Sequence, residues 1–217
     1  MDELIRSKRK TLGLTVTSDA RLVVRAPKRL PLSYIEAFIA QKADWILRKQ
    51  AEILAARPAA HAFKEGETVY FLGGRLALHY AQDTRRVTVS GDRLILPPSD
   101  AVQAKKLMEA WYRTKAREVF IDRVAFYAPQ LGVKPNTLRI SGARGRWGSC
   151  GANNSINLVW RLVMAPVEII DYVVVHELAH LLRRDHSAAF WSEVARILPD
   201  YAKRRRYLKQ NGRLLDI

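Results

Sequence analysis

The stretch from Asp171 to Leu182, DYVVVHELAHLL, constrains the fold of this chain more than any other feature. It is apolar nearly all round, which predicts a helix buried on every side, yet it contains His176, Glu177 and His180. Residues four apart on a helix project from nearly the same side, so the two imidazoles can bind one metal ion while the glutamate reaches a water molecule beside it. Because buried polar groups need partners, a shared ion explains all three.

Local signals also predict this helix. Pro166 suits a first turn, where its missing N–H would have no partner in any case. Glu168 and Asp171 place negative charge near the positive end of the helix. Apolar residues recur at helical spacing through Val174 and Leu178. We therefore expect the helix to begin close to Pro166.

A third ligand is predicted at His186, which lies ten residues after His176. That is the interval at which the H-E-x-x-H-x-x-G-x-x-H class supplies its third histidine. Arg183 stands where that class has glycine. Glu193 and Asp185 remain alternative ligands, and spacing together with the preference of zinc for imidazole favours His186.

Three neutral imidazoles leave the fourth tetrahedral position of a zinc ion open for water. Zinc lowers the pKa of that water to about 7, and Glu177 is placed to accept and return its proton. The competing interpretation is an accidental pentapeptide whose histidines have ordinary partners in the core. The context of His186 favours a zinc-dependent hydrolase, with Glu177 as the catalytic base.

Several motifs together resemble a known family. They are Arg146–Cys150 (RWGSC), Ile156–Arg161 (INLVWR), Asp171–His180, Asp185–Ser187 (DHS) and Phe190–Trp191. In this combination the chain resembles the YgjP-like metal-dependent hydrolases, which are related to SprT-like zincins. The resemblance is strong from about Ala101 to Gly212 and extends to the N-terminal part by general layout.

The resemblance implies a zincin-type metallopeptidase domain that binds zinc through His176, His180 and His186 and uses Glu177 as its base. Members of the family also carry a nucleotide pyrophosphatase assignment, so the substrate is a peptide or a nucleotide. A noncatalytic nucleic-acid-associated module with a structural metal is a third hypothesis. The intact Glu177 argues against it.

The predicted fold class is α+β. Residues 1–98 are expected to form a β-rich accessory lobe with one long helix, and residues 99–217 a zincin-like catalytic domain. In the first part, 11–25 predicts a hairpin, and Ser33 with Glu36 forms a capping box for a helix that runs to about Ala56. A connector is predicted over 57–64.

Further elements follow from alternation and from turn residues. Strands are predicted at 68–72, 75–80, 86–89 and 93–96, and a second long helix from Ala101 to about Ala128. Strands at 137–140, 146–150 and 155–161 come next, the last two joined through Gly151–Asn154 as a hairpin.

Four residues near these strands are candidate substrate-binding residues: Arg146, Trp147, Ser149 and Asn157. In zincins a strand beside the metal pairs with an extended substrate, and these side chains are expected near such a groove. Each also has a purely structural interpretation, in packing or in bonding to the backbone. Arg161, Arg183 and Arg184 flank the motif as well and would suit phosphate or acidic peptide if they faced the cleft.

The chain carries 37 Lys and Arg against 21 Asp and Glu, a net charge of +16 and a pI of about 10.3. A field of that sign favours nucleic acid or another polyanion as a partner. A solvated basic surface explains the charge equally well, and the run Lys203–Arg206 suits the outer face of a terminal helix.

Cellular location is predicted from what the sequence lacks. A single cysteine, Cys150, forms no internal disulfide, which suits a reducing compartment. No apolar run approaches the length of a membrane span, and the first ten residues do not resemble a signal peptide. The expectation is a cytoplasmic protein without membrane association.

Overall fold

The structure is a computed structural model that describes residues 1–17, 19–55 and 61–217. The described residues contain three small sheets and six α-helices. The fold is therefore mixed α/β. Contacts divide the chain into two compact units, Met1–Pro58 and Ala59–Ile217. Among the described helices, none combines the length and the hydropathy that crossing a bilayer requires.

The first unit contains the sheet β1 (Glu3–Ser7), β2 (Gly13–Val16) and β3 (Leu22–Pro27) in the order β1-β3-β2. β2 and β3 form the predicted antiparallel hairpin, whereas β1, which pairs parallel to β3, was not predicted. Part of the turn, Ser18, lies outside the described residues.

The predicted long helix of this unit is wrong in detail, because two helices stand in its place. α1 spans Leu32–Gln41 and α2 spans Ala43–Ala55. Lys42 separates them with φ −103° and ψ 12°, outside the helical region. The N-cap is Pro31, without a side-chain hydrogen bond, so the expected capping box at Ser33 does not form. The predicted end at Ala56 and the first half of the connector, 57–60, fall outside the described residues.

The second unit begins with a four-stranded sheet close to the prediction. Its strands are β4 (Thr68–Phe71), β5 (Gly74–Tyr80), β6 (Thr88–Ser90) and β7 (Arg93–Leu96), in the order β4-β5-β7-β6. Contacts group these strands with the C-terminal part of the chain, so the compact units separate at 58/59. The functional domain boundary at 98/99 stays a prediction.

The remaining elements follow the predicted order. α3 covers Ala101–Leu131, capped by Asp100 at its start and by left-handed Gly132 at its end. The strands β8 (Thr137–Ser141), β9 (Gly148–Cys150) and β10 (Ser155–Val159) follow, and the end of the last predicted strand is a 3₁₀ turn, Trp160–Met164. Three helices complete the chain: α4 (Val167–Ala179), α5 (Ala188–Ile197) and α6 (Tyr201–Asn211).

Helix α4 is buried at the centre of the second unit, as its composition predicts. Its residues Ile170, Val174 and Leu178 are fully buried in one cluster with residues of α3, β10 and the four-stranded sheet. Asp171, near its start, accepts hydrogen bonds from the Arg123 guanidinium at 2.5 and 2.9 Å and from the Tyr127 hydroxyl at 3.0 Å. A charge at that depth is satisfied by this pairing.

The sheet β8-β10-β9 lies beside α4. β10 is central, parallel to β8 and antiparallel to β9, and the turn at Gly151–Asn154 joins β9 and β10 as predicted. β9 is at the edge of its sheet and contacts α4. This contact brings a strand next to the end of the helix that carries the histidines.

Candidate metal centre

Three imidazoles converge at the C-terminal end of α4. One nitrogen from each of His176, His180 and His186 lies within 4.8 Å of the other two. The Nε2 atoms of His176 and His186 are 3.2 Å apart. Two neutral imidazoles that approach through these atoms need a proton or a cation between them, because each otherwise presents a lone pair to the other. The arrangement therefore fits a metal ion held by three nitrogens.

The loop after α4 brings His186 back to the helix. Ser187 caps α5, its hydroxyl accepting a hydrogen bond from the Phe190 amide at 3.4 Å. The Nδ1 of His180 lies 3.0 Å from the carbonyl oxygen of Arg183. A hydrogen bond to that oxygen places the proton on Nδ1 and leaves Nε2 free to bind a metal, the usual arrangement in metal sites.

Aromatic packing holds the His176 ring in place. Its centroid lies 4.9 Å from Phe190, 5.7 Å from Trp191 and 5.9 Å from Tyr172. Its Nδ1 is buried and has no hydrogen-bond partner among the described residues. Burial, with smaller contributions from the neighbouring His180 and His186, lowers the pKa of His176 to about 3, so the ring is neutral and can act as a ligand.

Glu177 follows His176 directly on α4 and is nearly enclosed, with 5% of its surface exposed. Burial raises its pKa to about 7, and the positive charge of Arg146 opposes that rise. A carboxyl with a pKa near neutrality both accepts and returns a proton readily. Glu177 is therefore a candidate for proton transfer at neutral pH.

Gly148 of β9 makes room for that carboxylate. A Cβ atom built on Gly148 would lie 2.6 Å from both Cγ and Oε1 of Glu177. No larger residue fits without displacing the glutamate. Gly148 was not among the site residues predicted from sequence, although a glycine within a strand is a recognised sign of close approach by another group.

The two alternative third ligands lie elsewhere. Glu193 pairs with Arg196 at 3.2 Å, and a carboxylate oxygen of Asp185 accepts a hydrogen bond from the Ser187 amide at 3.2 Å. Neither belongs to the cluster of possible metal ligands that the described residues form.

Comparison with known proteins identifies the family. The model of the YgjP-like, metallopeptidase domain family matches residues 10–211. The chain belongs to this family. No curated protein matches it. A crystal structure of the metallopeptidase zymogen abylysin from Pyrococcus abyssi is 26% identical over 42% of this chain and 93% of its own, with a TM-score of 0.39.

As a YgjP-like protein, the chain has the enzyme class, a metallopeptidase-type hydrolase, that the sequence predicted. The four candidate substrate-binding residues surround β9. Ser149 and Asn157 face each other across β9 and β10, with Asn157 Nδ2 3.3 Å from the Ser149 hydroxyl. Trp147 lies against Gly212, and Arg146 is exposed, with its charge within range of Glu177.

Two of the flanking arginines of this YgjP-like site are engaged elsewhere. Arg161 is 9% exposed and pairs with Asp216 at 2.5 Å. Arg184 donates to the carbonyl oxygen of Gly151 at 2.7 Å and to Asn154 Oδ1 at 2.9 Å, tying the β9-β10 turn to the end of the metal-site loop. These two guanidinium groups are therefore committed to partners within the chain, namely Asp216 and the β9-β10 turn.

Proposed function

We propose that this YgjP-like protein is a zinc-dependent metallopeptidase in which His176, His180 and His186 bind the ion and Glu177 is the general base. The observation that carries the proposal is the convergence of three imidazoles beside a buried carboxylate. Nitrogen ligands of this number are typical of a catalytic zinc site that keeps one position open. Membership of a metallopeptidase family supports a peptide as the substrate.

A bound zinc ion would supply Lewis-acid polarisation of the scissile carbonyl and a water molecule with a pKa of about 7. Glu177 takes the proton of the attacking water on its carboxylate and delivers it to the leaving amide nitrogen. Its burial keeps the pKa high enough for the second transfer. The role of Gly148 is to leave the space in which this carboxylate is held.

The substrate is proposed to lie along β9. This strand is at the edge of its sheet and contacts α4, and an extended peptide can pair with such an edge. Arg146, Trp147, Ser149 and Asn157 are the side chains proposed to contact it. A nucleotide substrate has weaker support, because Arg161 and Arg184 are committed to Asp216 and to the β9-β10 turn.

Turnover with two substrate classes tests the proposal. We expect purified zinc-loaded protein to cleave casein-derived peptides and to leave nucleoside triphosphates intact. Glu177→Gln should lower peptide cleavage by roughly a hundredfold to ten-thousandfold while zinc content is retained, since a positioned base contributes that much. Glu193→Gln is the matched control and should cleave like the wild type.

Two results would contradict the proposal. Unchanged cleavage by the Glu177→Gln protein would remove the base. Release of pyrophosphate from nucleoside triphosphates without peptide cleavage would assign the site to phosphoanhydride hydrolysis instead.

A further inference from the structure

Arg205 differs from the other basic residues of α6 in what surrounds it. Arg204 pairs with Asp200 at 2.9 Å and donates to the carbonyl oxygen of Glu168 at 3.0 Å. The guanidinium of Arg205 lies over the ring of Trp191, 4.9 Å from its centroid. It has no carboxylate or hydrogen-bond partner within the described parts of the chain. Its N–H groups are therefore held in one place but remain free to bind an anion.

Trp191 connects this guanidinium to the proposed metal site. Its ring centroid lies 5.7 Å from His176 and 5.8 Å from His186, with an angle of 28° to the latter. Tyr201, one turn before Arg205 on α6, stacks on the same tryptophan at 5.1 Å. Arg205 and two of the three imidazoles thus lie close to the same aromatic ring.

The charge of Arg205 is felt within the site. Burial, the largest influence in each case, raises the pKa of Tyr172 and lowers the pKa of His176. The positive charge of Arg205 lowers the pKa of both groups. Arg146 acts in the same way on Glu177. Two exposed guanidinium groups from separate elements, α6 and the segment before β9, therefore lie within electrostatic range of residues of the proposed site.

We propose that Arg205, seated on Trp191, is a substrate-binding residue that binds a carboxylate side chain of a peptide close to the bond that is cleaved. The inference rests on the proposed peptidase function and names its preferred substrate class, acidic peptides. Stacking on an aromatic ring preorganises the planar donors of arginine, and two parallel N–H groups match a carboxylate. The net charge of +16 attracts such substrates toward the site.

A purely structural role for Arg205 makes different predictions. If the guanidinium only packs on Trp191, its removal lowers stability and alters all substrates alike. If the preference for acidic peptides arises only from the overall positive charge, loss of any nearby arginine reduces that preference equally. Arg206, the next residue on α6, is exposed and makes no ion pair among the described residues. Arg206→Gln is therefore a control with the same change in charge.

The test uses paired peptides. A casein-derived peptide that the zinc-loaded protein cleaves is synthesised with Glu, and again with Gln, at the positions flanking the cleaved bond. We expect the ratio of kcat/KM for the Glu and Gln forms to be about ten in the wild type, since a hydrogen bond to a charged group contributes about that factor. Arg205→Gln should bring the ratio close to one, Arg205→Lys should retain part of it, and Arg206→Gln should keep it.

Binding measured without turnover separates this inference from the proposed function. The Glu and Gln peptides are titrated into Glu177→Gln protein, with and without Arg205→Gln, by calorimetry. The same roughly tenfold difference in Kd is expected, and it should disappear with the arginine. If no peptide is cleaved but this difference is found, the peptidase proposal fails and the carboxylate site stands.

Three outcomes overturn the inference. The first is a ratio in the wild type that Arg205→Gln leaves unchanged. The second is an equal loss of the ratio in Arg205→Gln and Arg206→Gln, which would assign it to the general field. The third is Arg205-dependent binding of ATP with no discrimination between the peptides, which would assign the subsite to phosphate.

Discussion

Two sheets of this protein share one topology and differ in what accompanies them. In β1-β3-β2 and in β8-β10-β9 the last strand is central, the first pairs parallel to it and the second antiparallel. Both turns before the central strand also contain a residue other than glycine with positive φ, Ala20 at 64° and Asn154 at 58°. Within the described residues, a cluster of possible metal ligands is found beside the second sheet and not beside the first.

The difference lies in the helices that pack with each sheet. Beside β1-β3-β2 the buried residues are hydrophobic, with Val24 and Ala26 of the central strand clustered with Ile35 and Ile46 of the helices. Beside β8-β10-β9 stands α4, whose buried face includes Glu177. The shared strand order thus provides only a structural framework, and the chemistry depends on the polar residues of the helix that packs against the sheet.

The largest effect is expected from substituting the glycine that begins the antiparallel edge strand of each sheet, Gly148 of β9 and Gly13 of β2. Gly148→Ala should lower turnover by about a hundredfold, because its Cβ would occupy space now filled by the Glu177 carboxylate, and a small displacement of a catalytic group costs about that much. Peptide cleavage and zinc content are the measurements. Zinc content should be retained, which separates misplacement of the base from loss of the site.

Gly13→Ala is the matched control in β2. The Cβ there would approach Arg9 Nη2 at 2.9 Å, the far end of a flexible side chain that can move away. Turnover should match the wild type. Equal losses in the two variants would mean that the sheets do not differ in the way described.

A second contrast is the response of metal-free protein to pH, since the buried carboxylate lies with the second sheet only. The folded state holds the Glu177 proton more tightly than the unfolded chain, with a pKa of about 7 against an ordinary 4.5. Below pH 4.5 both states are protonated and no penalty arises. As the pH rises from 4.5 to 7, the unfolded chain ionises while the folded state keeps this proton, which lowers the free energy of unfolding by up to about 3 kcal/mol. Above pH 7 both states are ionised and the loss is complete.

Chemical denaturation of chelator-treated protein at pH 5 and pH 8 measures this effect. Relative to Glu177→Gln, which cannot ionise, the wild type should lose stability between the two values. A difference between the two proteins that stays constant with pH would show that the carboxyl titrates normally.

The smallest contrast concerns the two turns. Ala20→Gly should raise the free energy of unfolding by about 1 kcal/mol, because glycine adopts positive φ without the cost that Cβ imposes. Asn154→Gly should lower it by about 1 kcal/mol, because the Asn154 side chain accepts a hydrogen bond from Arg184. Denaturation of both variants is the measurement, and a change of the same sign in each would contradict the account.

Much of the second unit was predictable because its signals are local. The apolar residues around His176 and His180, together with the spacing of these histidines, predict α4 and its burial. Both form in the structure. The assignment of the three histidines as metal ligands and of Glu177 as the base stays a prediction, supported by the convergence of the imidazoles and by the burial of the carboxylate.

What the sequence did not predict depends on contacts between distant residues. Gly148 matters through Glu177, 29 positions further along, and β1 forms through pairing with β3. Arg205 belongs to the run of four basic residues Lys203–Arg206, and nothing in the sequence distinguishes it from its neighbours. Its contact with the Trp191 ring is seen only in the folded structure. The break at Lys42 has no proline or glycine to indicate it.

Zinc content of the purified protein tests the central claim most directly. Elemental analysis should find one zinc ion per chain in the wild type and in His79→Ala, whose imidazole pairs with Glu65. His186→Ala should retain far less, because losing one of three ligands weakens binding sharply. Wild-type protein that binds no divalent metal, or His186→Ala protein with undiminished zinc, would contradict the three-histidine site.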